Sequence, residues 1–232
     1  MRKTLWTISA LIVVGMLAAP TLAQEKKGEG QKKEEPKKEA PKAGEKKDDK
    51  GGAPSPEELK MLEEMAKMGQ PGEHHKALAA LAGKWTSTGK YKMAPEQPWK
   101  EFKSAAEFTA MFDGRFVTQK VKGDPFEMPG MPPQPPFEGF GVLGYDNGTK
   151  KHTSFWMDNM GTMMMIAEGT CSANCKEITM DGTMNDCMTG QPSHVKTVYK
   201  FDGNDKFTLS MFGPDATGKD FLSMEITYNR AK

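Results

Sequence analysis

The sequence predicts an all-β fold, an antiparallel up-and-down barrel of about ten strands. Three observations predict it. From Lys84 onward apolar and polar residues alternate with a period of two, the signature of strands with one buried and one solvated face. Tight-turn signals, among them Asp113-Gly114, Asp146-Asn147-Gly148 and Gly203-Asn204, separate these runs. Only one connection is long, Asp124 to Pro136, whereas a two-sheet sandwich normally needs longer crossings. Curling into one barrel then hides every apolar face at once.

The first 23 residues read as a signal peptide. Arg2 and Lys3 give a basic start, Leu5 to Ala19 an apolar run, and Thr21-Leu22-Ala23 a small-residue cleavage site. Export to the periplasm or beyond follows, with no stable membrane anchor after cleavage, because the apolar run is short and a charged tract follows it. Residues 24–54 are Lys, Glu, Pro, Gly and Ala, without aromatic or β-branched side chains. Such a tract buries too little apolar surface to offset its ordering entropy and is expected to be a disordered tether. Its acids are interspersed with its lysines, and the formal net charge of the chain is +1. No nucleic-acid partner is expected on that balance. Oligomeric state leaves no mark in the sequence.

Residues 55–82 predict two short amphipathic helices. Ser55-Pro56-Glu57-Glu58 is a capping box with Pro at the first helical position. Leu59, Leu62 and Met65 follow at helical spacing until Gly69 and Pro71 stop the run. Leu78 and Leu81 mark a second helix that ends at Gly83. Helices placed before a sheet usually cover an edge or plug an opening. His74 and His75, adjacent on the second helix, face different ways and read as surface or capping residues.

Residues 83–232 carry the strands of the barrel domain. One face of the strand pattern presents Trp85, Tyr91, Phe108, Tyr199, Met211, Met224 and Tyr228, which are assigned inward as candidate ligand-binding residues of the lumen. A barrel of about eight strands just holds a small ligand, so ten leave a larger lumen unless something fills it. The run His152 to Asp158 places His152, Ser154, Trp156 and Asp158 on one face, with Thr153, Phe155 and Met157 on the other. A Ser, a His and an Asp invite a hydrolase reading. On one strand, however, residues two apart stand about 6.5–7 Å from each other, too far for a nucleophile–base hydrogen bond. No catalytic residue is assigned. Trp156 and Asp158, with Tyr145, are retained as polar anchors of a lumen site.

Three cysteines permit one disulfide. Cys171 and Cys175 flank a turn and are favoured as its partners. A metal site on the C-x3-C spacing is disfavoured, because no second pair accompanies it. Met157, Met160, Met163, Met164 and Met165 are thioethers that suit Cu(I), but alternation along a strand points them opposite ways, and adaptable packing is the plainer reading.

The segments LAGKW (81–85), FDGRF (112–116), PFEGFGVLGYDN (136–147), FWMDNMGT (155–162), MTG (188–190) and MEITYNR (224–230) resemble a bacterial family catalogued as domain of unknown function 1579. The resemblance implies a lipocalin-like, calycin-type barrel with no established activity. The Gly83-x-Trp85 opening is also similar to the first strand of lipocalins and of haem-binding nitrobindin-like barrels. The lipocalin likeness implies that Trp85 packs beneath an Arg, here Arg230, as a structural closure of one end. The nitrobindin likeness raises haem, for which His152 is the only sheet histidine with an inward option. The reading for function is non-catalytic binding of a small apolar or amphipathic molecule in the lumen. The alternatives are an enzyme using lumen groups such as Asp158 and Tyr145, and a structural module with a filled core.

Overall fold

The computed structural model describes residues 53–126, 132–186 and 190–232. The expected signal peptide, nearly all of the tether, part of the long connection (127–131) and Cys187 lie outside the described residues.

Ten antiparallel strands close into a barrel in sequence order: β1 Gly83–Tyr91, β2 Lys100–Met111, β3 Phe116–Gly123, β4 Phe137–Asp146, β5 Lys151–Asp158, β6 Met165–Cys171, β7 Glu177–Asn185, β8 Pro192–Phe201, β9 Lys206–Pro214 and β10 Asp220–Arg230. Each strand pairs with its neighbours in the chain, and β1 pairs with β10 from Trp85↔Arg230 to Tyr91↔Met224, so no edge is left open. The fold class read from alternation and turns is the one observed. No helix among the described residues is long and apolar enough to cross a membrane.

Two helices precede the barrel, α1 Pro56–Met68 and α2 Glu73–Ala79. The capping box of α1 is present: Glu58 N–H donates to the Ser55 hydroxyl, and the Ser55 N–H donates to the Glu58 carboxylate. The two helices nevertheless behave differently. α1 buries none of its residues, and Leu59, Leu62 and Met65 stay exposed. Its end is tied to the barrel by polar contacts, with Asn147 donating to the Met68 and Gln70 carbonyls and Arg115 to that of Gly69. α2 is the plug. Its Leu78, with Leu81 just beyond, is buried in the main core at the end where β1 starts and β10 finishes. We call this end the base.

Above the plug the base is packed with aromatics. Phe207 and Tyr228 stack at 4.4 Å, Trp85 meets Phe207 edge-on at 5.0 Å, and Phe108 touches all three. Such offset and edge-on pairs each add about 0.5–1.5 kcal/mol beyond the area they bury. The Trp85 indole N–H donates to the Leu81 carbonyl at 2.8 Å. Arg230 lies 4.3 Å from the Trp85 ring and donates to the carbonyls of Ala80, Ala82 and Asn204 and to the Asp205 carboxylate. Gly83 sits at φ +131°, and a Cβ there would stand 2.8 Å from the Arg230 guanidinium. That is why the segment reads Gly-Lys-Trp.

At the opposite end, Phe126 from the long connection packs against Tyr91, Phe102 and Phe137 at 4.8–5.3 Å. Phe137 in turn stacks over Trp156. Trp156 lies flat on its neighbour strand, where a Cβ on Gly139 would meet its ring at 2.3 Å and one on Gly141 at 2.9 Å. The F-x-G-x-G pattern is therefore the imprint of one indole. Gly139→Ala should cost about 1–3 kcal/mol by overpacking, read as a lower urea midpoint with an altered near-ultraviolet tryptophan signal. An unchanged midpoint would mean that Trp156 does not rest there.

Candidate functional site

The lumen residues singled out by alternation do turn inward, and so does the face carrying His152, Ser154, Trp156 and Asp158. His152 and Ser154 are buried, while Met157 on the other face is exposed. Facing inward, however, is not lining a cavity. Trp85, Phe108, Tyr199 and Tyr228 are buried, and Phe108 and Tyr228 meet each other edge-on while the Gln119 amide donates to the Tyr228 hydroxyl at 3.3 Å. Tyr91 packs beneath Phe126, and Met211 and Met224 pack against the same core. They fill the space they face.

Trp156 and Asp158 form a closed pair: the indole N–H donates to one carboxylate oxygen of Asp158 at 2.9 Å, and the Met160 N–H donates to the other. Tyr145 pairs with His152 at the base, and Asp158 lies six residues further along β5, roughly 20 Å away at the strand rise. The fold thus does not bring Tyr145 and Asp158 together. Nor does it assemble the Ser–His–Asp trio, since Ser154 Oγ and both His152 ring nitrogens have no hydrogen-bond partner among the described residues. Met157, Met160 and Met164 are exposed while Met165 is buried, so these thioethers do not converge.

What the fold does assemble is at the base, between α2 and the wall. A cavity of about 170 Å³ lies there, walled by Leu78 and Leu81 from the plug and by Trp85, Ile178, Phe201 and Phe207 from the barrel. Its polar lining is His74, His152 and Cys175, and the exposed Asn204 and Lys206 of the β8–β9 turn border it. Trp85 is the one member of the lumen set that reaches it. His74 is neither a surface nor a capping residue. Its ring stacks on Tyr145 at 4.1 Å and meets His152 edge-on at 5.2 Å. His75 is the cap, buried, with Nδ1 accepting the Gly72 N–H at 3.0 Å.

His152 stands out electrostatically as well. It is 3 % exposed. Burial, helped by the neighbouring His74 and His75, pushes its pKa down from 6.5 to about 4. The ring is therefore neutral near pH 7, with one donor and one acceptor nitrogen, and both lack partners. Buried polar atoms are nearly always satisfied, so an orphaned imidazole beside a cavity makes His152 the candidate polar anchor of this site.

Cys171 and Cys175 form a disulfide across the β6–β7 turn, with Cα atoms 4.9 Å apart. The His74 Nδ1 lies 3.5 Å from the Cys175 sulfur and 3.8 Å from that of Cys171. Haem does not fit this compartment. Its 170 Å³ is well below the roughly 300–1,000 Å³ of pockets that take larger organic ligands.

The crystal structure of Rv2717c from M. tuberculosis is similar in fold, with a TM-score of 0.52 and 17 % identity over 70 % of this chain and 100 % of that one. The structure of the S-type phycobiliprotein lyase CPES from Guillardia theta superposes more loosely, with a TM-score of 0.44 and 12 % identity over 68 % of this chain and 93 % of that one. No curated protein matches the sequence. The model of one family, described as "Protein of unknown function (DUF1579)", matches residues 70–230. That span runs from the turn before the plug helix to the arginine that closes the barrel's base, and the chain belongs to this family.

Proposed function

We propose that this protein is a non-catalytic binding barrel, exported from the cytoplasm, that holds a small amphipathic molecule in the compartment at its base. The observation that carries the reading is His152, buried against a cavity with neither ring nitrogen satisfied. The size supports a small ligand, since an engineered cavity of about 150 Å³ is known to hold benzene. The lining supports an amphipathic one, because Leu78, Leu81, Ile178 and Phe207 offer an apolar wall and His152 one polar anchor. The upper lumen is the weaker location, because the side chains facing it pack on one another.

Phenol is a suitable probe, with an apolar ring and one hydroxyl. At roughly −0.8 kcal/mol per non-hydrogen atom it should bind with a Kd of about 10⁻⁴ M. Titration calorimetry is expected to show one site per chain, lost in His152→Phe, which keeps the volume and removes the anchor. Absence of saturable heat, or equal binding by the variant, would sink the reading.

A further inference from the structure

We propose that reduction of the Cys171–Cys175 disulfide turns the base into a four-ligand site for a divalent cation of the zinc class, completed by His74 and His152. The inference deepens the reading above and rests on it, in that the base rather than the lumen is taken as the binding end. It adds a second kind of ligand and a redox condition for holding it.

The donor set comes from separate elements: His74 from α2, His152 from β5, Cys171 from the end of β6 and Cys175 from the turn that follows it. One donor atom from each of the four lies within 4.8 Å of the others. Tetrahedral zinc with bonds of about 2.3 Å to sulfur and 2.0 Å to nitrogen places ligand sulfur and nitrogen roughly 3.6 Å apart. The two His74 Nδ1–sulfur distances of 3.5 and 3.8 Å bracket that edge. The second observation is independent of the cysteines: the buried His152 ring has no partner for either nitrogen. Tyr145, stacked on His74, fixes the ring that must present Nδ1 to the metal.

The chemistry of the donors selects the ion. No carboxylate is among the four, which disfavours hard cations such as Mg²⁺ and Ca²⁺. Two thiolates neutralise a 2+ charge, so a half-buried site is left with no uncompensated charge by a divalent ion, as it would be by a monovalent one. While the disulfide is closed neither sulfur is a thiolate, and the site is off. Two equivalents of a small thiol, or one dithiol, transfer two electrons and two protons to the S–S bond. Two cysteine thiols and an oxidised disulfide of the reductant result. The incoming cation then displaces both thiol protons to form two metal–sulfur bonds. Because the ligands join the plug helix to the barrel wall, the metal would staple α2 in place.

The test uses full-length protein in a Cys187→Ser background, reduced with dithiothreitol, desalted without oxygen and titrated with Co²⁺ and then Zn²⁺. The reduced chain is expected to bind one Co²⁺ with a thiolate-to-cobalt charge-transfer band that Zn²⁺ bleaches. The disulfide form should bind at least about a hundredfold more weakly. Cys171→Ser/Cys175→Ser should abolish the band while circular dichroism shows an intact barrel, and His74→Ala or His152→Ala should each weaken binding at least about tenfold. Metal bound without the band, equal affinity of the oxidised chain, or indifference to both histidine changes would overturn the proposal. Failure here with phenol still bound removes only the metal site. Metal binding without phenol binding leaves this inference standing and removes the small-molecule reading.

Discussion

Trp85→Ala should destabilise the fold by about 3–5 kcal/mol, as removal of a fully buried large aromatic does. Few side chains in the barrel hold as much together. Trp85 fills the space above the plug, meets Phe108 and Phe207 edge-on, donates its N–H to the Leu81 carbonyl and carries the Arg230 guanidinium on its face. Alanine leaves a cavity and strips the Leu81 carbonyl of its donor. It also exposes a guanidinium whose carbonyl partners at Ala80 and Ala82 belong to the segment after α2. The loss is a large fraction of the 5–15 kcal/mol typical of a domain. Urea unfolding followed by circular dichroism reads it directly. A loss under about 1 kcal/mol would show that the base is not closed by this residue.

Alkali should destabilise the protein between pH 10 and 12, with tyrosine ionisation as the driver. Burial pushes the Tyr228 hydroxyl from 10.0 up to about 12, against the opposing effect of the Gln119 hydrogen bond. Tyr199 moves the same way, first by burial and then by the nearness of Tyr228. The folded state thus holds both phenols protonated where the unfolded state would release them. Their contribution is complete below pH 10 and is lost as pH rises through the folded values. For Tyr228 alone the loss amounts to about 2 kcal/mol at pH 12, at 1.36 kcal/mol per unit. Stability measured by urea titration should fall across this window, and Tyr228→Phe should make the fall shallower. Tyrosinate absorbance that accounts for all four tyrosines near pH 10 while the fold persists would contradict the burial.

The barrel was legible in the sequence because its causes are local. Strand alternation and turn residues each act over a few positions, and closure follows from hiding every apolar face. The glycines of Gly83-x-Trp85 and of the segment 137–141 have causes that lie further off, in the Arg230 guanidinium and the Trp156 ring. The base compartment was not legible for the opposite reason. The pairing of β5 with β6 brings His152 beside the Cys171–Cys175 turn, and His74, distant in the chain, joins them only because α2 docks into the barrel end. Read alone, the C-x3-C pair lacked a second pair of ligands, and adjacent histidines on a short helix gave no hint of which one turned inward. Alternation also names the residues that face the lumen without saying how much of it they fill. Aromatics such as Phe108, Phe207 and Tyr228 occupy the interior they face. The two helices looked alike in sequence, yet only α2 places its leucine stripe where the wall leaves room for it.

Where a small molecule sits can be decided by one crystal structure of the protein grown or soaked with phenol. A site at the base requires the ring between Leu78, Ile178 and Phe207, with the hydroxyl at hydrogen-bond distance from a His152 ring nitrogen. Phenol lodged instead at the other end, against Tyr91 and Met224, or no bound phenol at concentrations tenfold above about 10⁻⁴ M, would contradict it.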